Sequence, residues 1–187
     1  MVDIVCIVDR SGSMGEIRLD AIGGFNTFIE EQKKVEGEAR VTLVLFNHEY
    51  ILVYKQKPLA EVKPLTEATY VPSGTTALLD AIGRTLEGEV SLGCPDSAFG
   101  EKGIVVVLTD GMENASKDYT RGRVKVIIED YQIKGWEVHY LAANQDAFAE
   151  AHRYGIAKAA NFAPDGAGVR GAYANFSSSS TDYRTRK

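Results

Sequence analysis

Four short segments of the chain are apolar at almost every residue, and they limit the possible folds more than any other feature. These segments are Ile4–Val8, Val41–Phe46, Ile104–Leu108 and Val138–Ala143. Continuous apolarity rich in Val and Ile is typical of β-strands that are buried on both faces. Between them, apolar residues recur at helical spacing. Strands that alternate with helices predict an α/β fold with a mostly parallel central sheet and helices on both faces.

The connection after the second apolar segment differs from the others. Only three residues, 47–49, separate that segment from Tyr50–Tyr54, which is too short a link for a crossover helix. A hairpin is therefore predicted, with Tyr50–Tyr54 as an antiparallel edge strand. A last short strand near Ala159–Phe162 and a helix over about Ala167–Phe176 would complete a single domain of residues 1–176. Residues 177–187 are serine-rich and are expected to form a disordered tail.

Composition excludes several classes of protein. The 187 residues are 44% hydrophobic and 25% charged, which is typical of a soluble globular domain. No apolar segment approaches the length that crosses a bilayer, so no membrane partner is expected. A formal charge of −5 argues against nucleic acid as a partner. The two cysteines, Cys6 and Cys94, are predicted to be free thiols, and with no signal-peptide pattern at the start a cytoplasmic location is expected.

Oxygen-bearing side chains follow the first and third apolar segments and open the second helix. The three short stretches are Asp9-Arg10-Ser11-Gly12-Ser13, Thr109-Asp110-Gly111 and Ser73-Gly74-Thr75-Thr76-Ala77-Leu78. Open parallel sheets bind ligands beyond the carboxyl ends of their strands, where these stretches are expected to meet. Hydroxyl and carboxylate oxygens suit a hard cation such as Mg²⁺ or Mn²⁺. The sequence therefore predicts a metal site at this edge of the sheet.

The three stretches together resemble the metal-ion-dependent adhesion site of a von Willebrand factor type A domain. They match its D-x-S-x-S loop, its G-T-T-A-L segment and its T-D-G loop, in the expected order. The resemblance extends from about Val2 to Phe176 and implies a three-layer, Rossmann-like fold. It is to the compact single-domain type that occurs in bacteria and phages.

The resemblance also implies a ligand set and a function. Ser11, Ser13 and a loop threonine would bind the metal directly, and Asp9 and Asp110 would act largely through water. Thr76 is favoured because the family's threonine stands two residues before a leucine, and Thr75 is the alternative. The implied metal is Mg²⁺, with Mn²⁺ or Ca²⁺ as alternatives. The implied function is non-enzymatic binding of an unidentified protein, whose Asp or Glu carboxylate completes the coordination.

Each candidate residue also has a purely structural interpretation. Ser11 and Ser13 could be turn or N-cap residues before a helix beginning near Ile17, and Thr76 could cap the next helix. Asp110-Gly111 is a common turn pair. A structural interaction module with a non-functional metal site is therefore one alternative.

Enzymatic alternatives use the same residues. A metal-assisted phosphoryl hydrolase built on the oxygen cluster is the first of them. Gly12-Ser13-Met14-Gly15 is one residue short of a nucleophile elbow, and no histidine is expected at this edge of the sheet. A phosphatase that uses Asp9 as nucleophile would need a second Asp where Ser11 stands.

Three further features lie outside the candidate site: a glycine pair in the first helix, the tryptophan and the glycines of the last helix. The pair Gly23-Gly24 within the first helix predicts close approach to an unidentified neighbour. Trp136 is expected to pack in the core. In relatives with a switching A domain the last helix moves on binding, and Gly166, Gly168 and Gly171 predict that this helix is loosely anchored here.

Overall fold

The computed structural model describes residues 1–91, 99–100, 102–143, 147–163 and 165–186. Within this part of the chain, six strands form one sheet in the order β3-β2-β1-β4-β5-β6. Every neighbouring pair is parallel except β2 and β3, which are antiparallel. The predicted mostly parallel sheet with one antiparallel edge strand is confirmed. The strands are β1 Val2–Asp9, β2 Ala39–Phe46, β3 Tyr50–Pro58, β4 Gly103–Thr109, β5 Glu137–Ala142 and β6 Lys158–Asn161.

Helices cover both faces of the sheet and make three layers. Apolar residues of α1 and α5 pack on one face, and those of α2, α3 and α4 pack on the other. The helix α2 continues directly into π-helical turns over Arg84–Val90. The helices are α1 Arg18–Lys34, α2 Leu78–Gly83, α3 Arg121–Ile133, α4 Ala147–Arg153 and α5 Gly166–Thr185.

The strand β1 lies at the centre of the sheet, between β2 and β4. All eight of its residues are buried, as its continuous apolar sequence requires. Val8 pairs with Leu108 of β4, so the two strands end level with each other. The loops that follow β1 and β4 therefore begin side by side at the carboxyl edge of the sheet.

The C-terminal segment differs from the prediction. Residues 177–185 continue α5 instead of forming a disordered tail, and Ser180 and Tyr183 are buried. The guanidinium of Arg184 donates hydrogen bonds to the backbone carbonyls of Gln32 and Gly37 at the end of α1. A cation at this position also complements the negative end of the α1 dipole. The expectation of a disordered tail is wrong, and the C-terminal turn of α5 fastens α1.

The start of α5 makes two polar contacts beside its glycines. The Asp165 carboxylate accepts a hydrogen bond from the Gly168 amide and caps the helix. One turn later, Arg170 pairs with Asp20 of α1 at 2.5 Å. The loose anchoring expected from the glycine content stays a prediction.

Close approach between α1 and α5 explains one of the paired glycines. A methyl group on Gly24 would overlap the ring of Tyr173, whereas one on Gly23 would meet nothing within 4 Å. Trp136 is 2% exposed and packs edge-on against Tyr131, with ring centroids 5.4 Å apart. The predicted core position of Trp136 is confirmed.

Cys6 is a free thiol buried in β1, as predicted, and Cys94 lies outside the described residues. Among the residues that the structure describes, no helix combines the length and apolarity needed to cross a membrane.

Candidate metal centre

The loop after β1 folds back on itself and contacts the loop that precedes α2. The Ser11 amide donates to Asp9 Oδ1 at 2.6 Å, which closes a tight turn. A short 3₁₀ turn, Gly12–Gly15, follows. The Gly12 amide donates to the Gly74 carbonyl at 3.0 Å. The loop after β1 and the loop before α2 are therefore joined through their backbones.

Three hydroxyl groups from these two loops converge on Gly111 of the third. A methyl group built on Gly111 would stand 3.0 Å from Thr76 Oγ1, 3.4 Å from Ser13 Oγ and 3.6 Å from Ser11 Oγ. Ser11 Oγ and Ser13 Oγ are 3.1 Å apart. Thr75 is exposed, whereas Thr76 is buried. The structure thus brings together Ser11, Ser13 and Thr76, around space that a larger residue than glycine would fill.

The helix-cap interpretations of these hydroxyls are not realised. Ser11 precedes the 3₁₀ turn, but its side chain makes no capping hydrogen bond. The N-cap of α1 is Ile17, and that of α2 is Ala77, the residue after Thr76. None of the three hydroxyls is therefore used to terminate a helix, and their clustering needs another explanation.

Two carboxylates adjoin the hydroxyl cluster. Asp9 is completely buried, and its second oxygen, Oδ2, accepts a hydrogen bond from Thr109 Oγ1 at 2.6 Å. Asp110 is 5% exposed and accepts from Ser13 Oγ at 2.6 Å. Because Ser13 donates its hydroxyl hydrogen to Asp110, Ser13 Oγ accepts from Ser11 Oγ and keeps one lone pair for a cation.

Burial raises the pKa of both carboxyl groups. The pKa of Asp9 rises to about 6, because desolvation outweighs the hydrogen bonds from Thr109 and Ser11, and the charge of Asp110 adds to the effect. Burial also raises the pKa of Asp110, against the hydrogen bond from Ser13. In the described part of the chain, neither carboxylate forms an ion pair with Lys, Arg or His. Two buried negative charges therefore lie together without a protein cation.

The donor set suits a hard cation. Among the described residues, no three His, Cys, Asp or Glu side chains form a group that could hold a metal. The cluster instead consists of three neutral hydroxyls and two carboxylates, all of them oxygen donors. Such donors suit Mg²⁺, Mn²⁺ or Ca²⁺ better than a soft metal. The uncompensated charge and the space beside Gly111 both fit a divalent ion.

Sequence reasoning missed two residues that fix Asp9. Tyr70 is fully buried, and its hydroxyl donates to the Asp9 backbone carbonyl at 2.5 Å. Thr109 lies within the T-D-G stretch, but its bond to Asp9 Oδ2 was not anticipated. Tyr70 stands 61 positions from Asp9, and no local pattern marks it.

The expectation that no histidine lies at this edge is wrong. The hairpin between β2 and β3 places the His48 imidazole directly over Gly74. A Cβ atom at position 74 would overlap this ring. Even so, neither Ser11 nor Ser13 hydrogen bonds to a histidine among the described residues. Ser13 donates to a carboxylate instead, which differs from the serine–histidine pair of a hydrolase triad.

Solved structures share this architecture. The vWF domain of the type V pili tip protein Mfa5 from Porphyromonas gingivalis matches 100% of this chain and 97% of its own, with a TM-score of 0.70 and 12% identity. BatB from Bacteroides thetaiotaomicron matches over 100% of both chains, with a TM-score of 0.61 and 15% identity. The chain has the fold of a von Willebrand factor type A domain.

A third structure with this A-domain fold is that of proximal thread matrix protein 1 from the mussel byssus, which has a zinc-occupied adhesion-site motif. It has a TM-score of 0.66 and 13% identity. This chain spans 46% of the mussel protein and 42% of a von Willebrand factor type A protein from Catenulispora acidiphila. No protein-family model matches the chain, and no curated protein matches it in sequence.

Proposed function

We propose that this chain is a metal-dependent protein-binding module whose metal site is formed by Ser11, Ser13, Thr76, Asp9 and Asp110. The observation that carries the proposal is the convergence of three hydroxyls, none of which caps a helix, beside two buried carboxylates. Neither carboxylate has a cationic partner among the described residues. The zinc-occupied motif of the mussel protein supports a divalent metal at this position of the fold.

The residues divide into two groups by their existing contacts. Ser11, Ser13 and Thr76 would bind the ion through their hydroxyl oxygens. Both oxygens of Asp9 already accept hydrogen bonds, so Asp9 would act mainly through its charge and through water. Asp110 would continue to accept the hydrogen bond from Ser13 and would add the second negative charge.

An ion held in this way would favour an acidic partner. Two carboxylates balance a divalent cation, but neutral hydroxyls donate little further charge, so the bound ion stays a strong Lewis acid. It would accept a carboxylate from an Asp or Glu of a partner protein as its remaining ligand. Mg²⁺ is the ion we propose, because hydroxyl, carboxylate and water are its usual ligands.

Calorimetric titration of Mg²⁺ and of Mn²⁺ into the metal-free protein tests the metal site. We expect saturable binding that Ser11→Ala and Thr76→Ala each weaken about tenfold or more. Thr75→Ala is the matched control, since its exposed hydroxyl lies outside the cluster, and its affinity should stay within about twofold of wild type. Absence of binding at tens of millimolar metal, with the fold intact by circular dichroism, would contradict the proposal.

Selection from a random peptide library tests the partner chemistry. In Mn²⁺ the protein should enrich peptides with an essential Asp or Glu, and EDTA should abolish their binding. Replacing that residue with Asn or Gln should do the same. Binding that persists in EDTA would contradict the carboxylate–metal contact, and hydrolysis of an aryl phosphate that Asp9→Asn abolishes would favour a hydrolase instead.

A further inference from the structure

The side chain of Asn114, which is outside the proposed ligand set, joins the loop before α2 to the loop after β4. The Asn114 side-chain oxygen, Oδ1, accepts a hydrogen bond from the Thr76 amide at 2.9 Å. In return, the Thr76 carbonyl accepts hydrogen bonds from the backbone amides of Asn114 at 3.0 Å and Ala115 at 3.2 Å. Both backbone polar groups of Thr76 are therefore satisfied by the loop that follows Asp110.

The loop that carries Asn114 is itself held rigidly against α2. Both carboxylate oxygens of Glu113 accept hydrogen bonds: Oε2 from the Leu79 amide at 2.9 Å, and Oε1 from the amides of Ala115 and Ser116 at 2.9 and 2.8 Å. Hydrogen bonds to an ionised acceptor are stronger than neutral ones. Asn114 therefore extends from a fixed backbone and not from a free loop.

From this geometry we propose that Asn114 is a positioning residue that sets the distance between the Thr76 hydroxyl and Asp110. Thr76 reaches the cluster from the loop before α2, whereas Asp110 reaches it from the loop after β4. The reciprocal bonds between Thr76 and Asn114 make these two loops one unit across the site. This inference rests on the proposed metal-binding function, since it concerns the affinity of the same site.

Metal affinity depends on such supporting contacts. Mg²⁺ requires near-ideal octahedral geometry, so a small displacement of one hydroxyl weakens its binding. Residues that orient the ligands typically change metal affinity by about 10- to 100-fold when they are replaced. Asn114 is exposed, so its replacement leaves the apolar core intact.

Calorimetric titration of Mn²⁺ into three Asn114 variants tests the inference. Asn114→Ala removes the acceptor and should weaken binding about tenfold. Asn114→Asp keeps an oxygen at the same position and should bind at least as tightly as wild type. Asn114→Gln keeps the amide but moves its oxygen by one methylene, so it should bind more weakly than wild type. This variant tests the inference if the alanine variant fails to fold.

Asn26 provides a matched control for a merely structural effect. Asn26 lies on α1, and its side chain also bonds to a loop backbone: it accepts from the Leu65 amide at 2.7 Å and donates to the Leu65 carbonyl at 2.9 Å. Asn26→Ala should lower the thermal midpoint but leave Mn²⁺ affinity unchanged. Wild-type affinity in Asn114→Ala, or equal losses in Asn114→Ala and Asn114→Asp, would overturn the inference. Failure of wild-type protein to bind Mn²⁺ would instead overturn the proposed function.

Discussion

Two aspartates on the central strand β1 are almost equally buried but have opposite surroundings. Asp3, at the amino edge of the sheet, is 1% exposed and receives two hydrogen bonds from the Arg40 guanidinium, at 2.9 and 2.8 Å. The Gly100 amide donates a third at 2.8 Å. Asp9, at the carboxyl edge, is 0% exposed, and its donors among the described residues, Ser11 and Thr109, are neutral.

The difference separates a structural carboxylate from one that we propose supports a metal ion. A buried charge is costly unless an opposite charge accompanies it. The chain supplies that charge to Asp3 and supplies none to Asp9 in the part that the structure describes. Hydrogen bonds from Ser11 and Thr109 therefore offset only part of the desolvation of Asp9, and a bound divalent cation would offset more of it. Removing each aspartate in turn tests this interpretation.

Asp3→Ala is expected to produce the largest effect on stability. Removing one partner of a buried ion pair leaves Arg40 without its carboxylate, which typically costs about 3–5 kcal/mol. We expect the free energy of unfolding, measured by urea denaturation, to fall by roughly this amount. Mn²⁺ affinity of the folded fraction should not change. A parallel loss of metal affinity would mean that the two edges are not independent.

Asp9→Asn is expected to have the opposite pattern: it should weaken metal binding but should not lower stability. The amide keeps an acceptor for the Ser11 amide, and Thr109 can turn its hydroxyl toward the Gly111 carbonyl, 3.2 Å away. Removal of an uncompensated buried charge should leave the free energy of unfolding of metal-free protein unchanged or higher. Metal affinity should fall about 10- to 100-fold, measured by the same Mn²⁺ titration. A variant destabilised as strongly as Asp3→Ala would contradict the contrast between the two aspartates.

The contrast between the aspartates was only partly predictable from sequence. The continuous apolar run of β1 places both at strand ends, and the spacing Asp9-x-Ser11-x-Ser13 indicates oxygen donors that converge. No local pattern marks Asp3 as an ion-pair residue, because its partner Arg40 is 37 positions away and lies on a neighbouring strand. Charge compensation is a property of strand register, which a single sequence does not display.

The same limit explains the error at the C terminus. The serine-rich stretch has too few apolar residues to show helical periodicity, so its sequence predicts disorder. In the fold, Ser180 lies fully buried on α5 one turn beyond Phe176, and Tyr183 follows at the next turn. A small polar residue suits a close helix contact, but hydropathy does not distinguish that use from a linker.

Glu137 offers a smaller and pH-dependent test of the amino edge. Burial alone would raise the pKa of Glu137, but hydrogen bonds from Lys158, His139 and Arg186 outweigh it and lower the pKa below the ordinary 4.5. A lowered pKa means that the ionised form stabilises the fold, fully above about pH 4.5 and progressively less as pH falls through the folded-state value. We expect Glu137→Gln to cost about 1 kcal/mol at pH 7, since its cationic partners are half exposed.

That cost should shrink as the pH falls, because protonated Glu137 resembles Gln. Urea denaturation of both proteins between pH 7 and pH 3 measures the difference directly. Lys158→Met is the matched control, since it removes a cation from the same group and should reduce the pH dependence in part. A difference that stays constant across this range would show that Glu137 acts by packing alone. In that case, compensation by protein cations at the amino edge would be limited to Asp3.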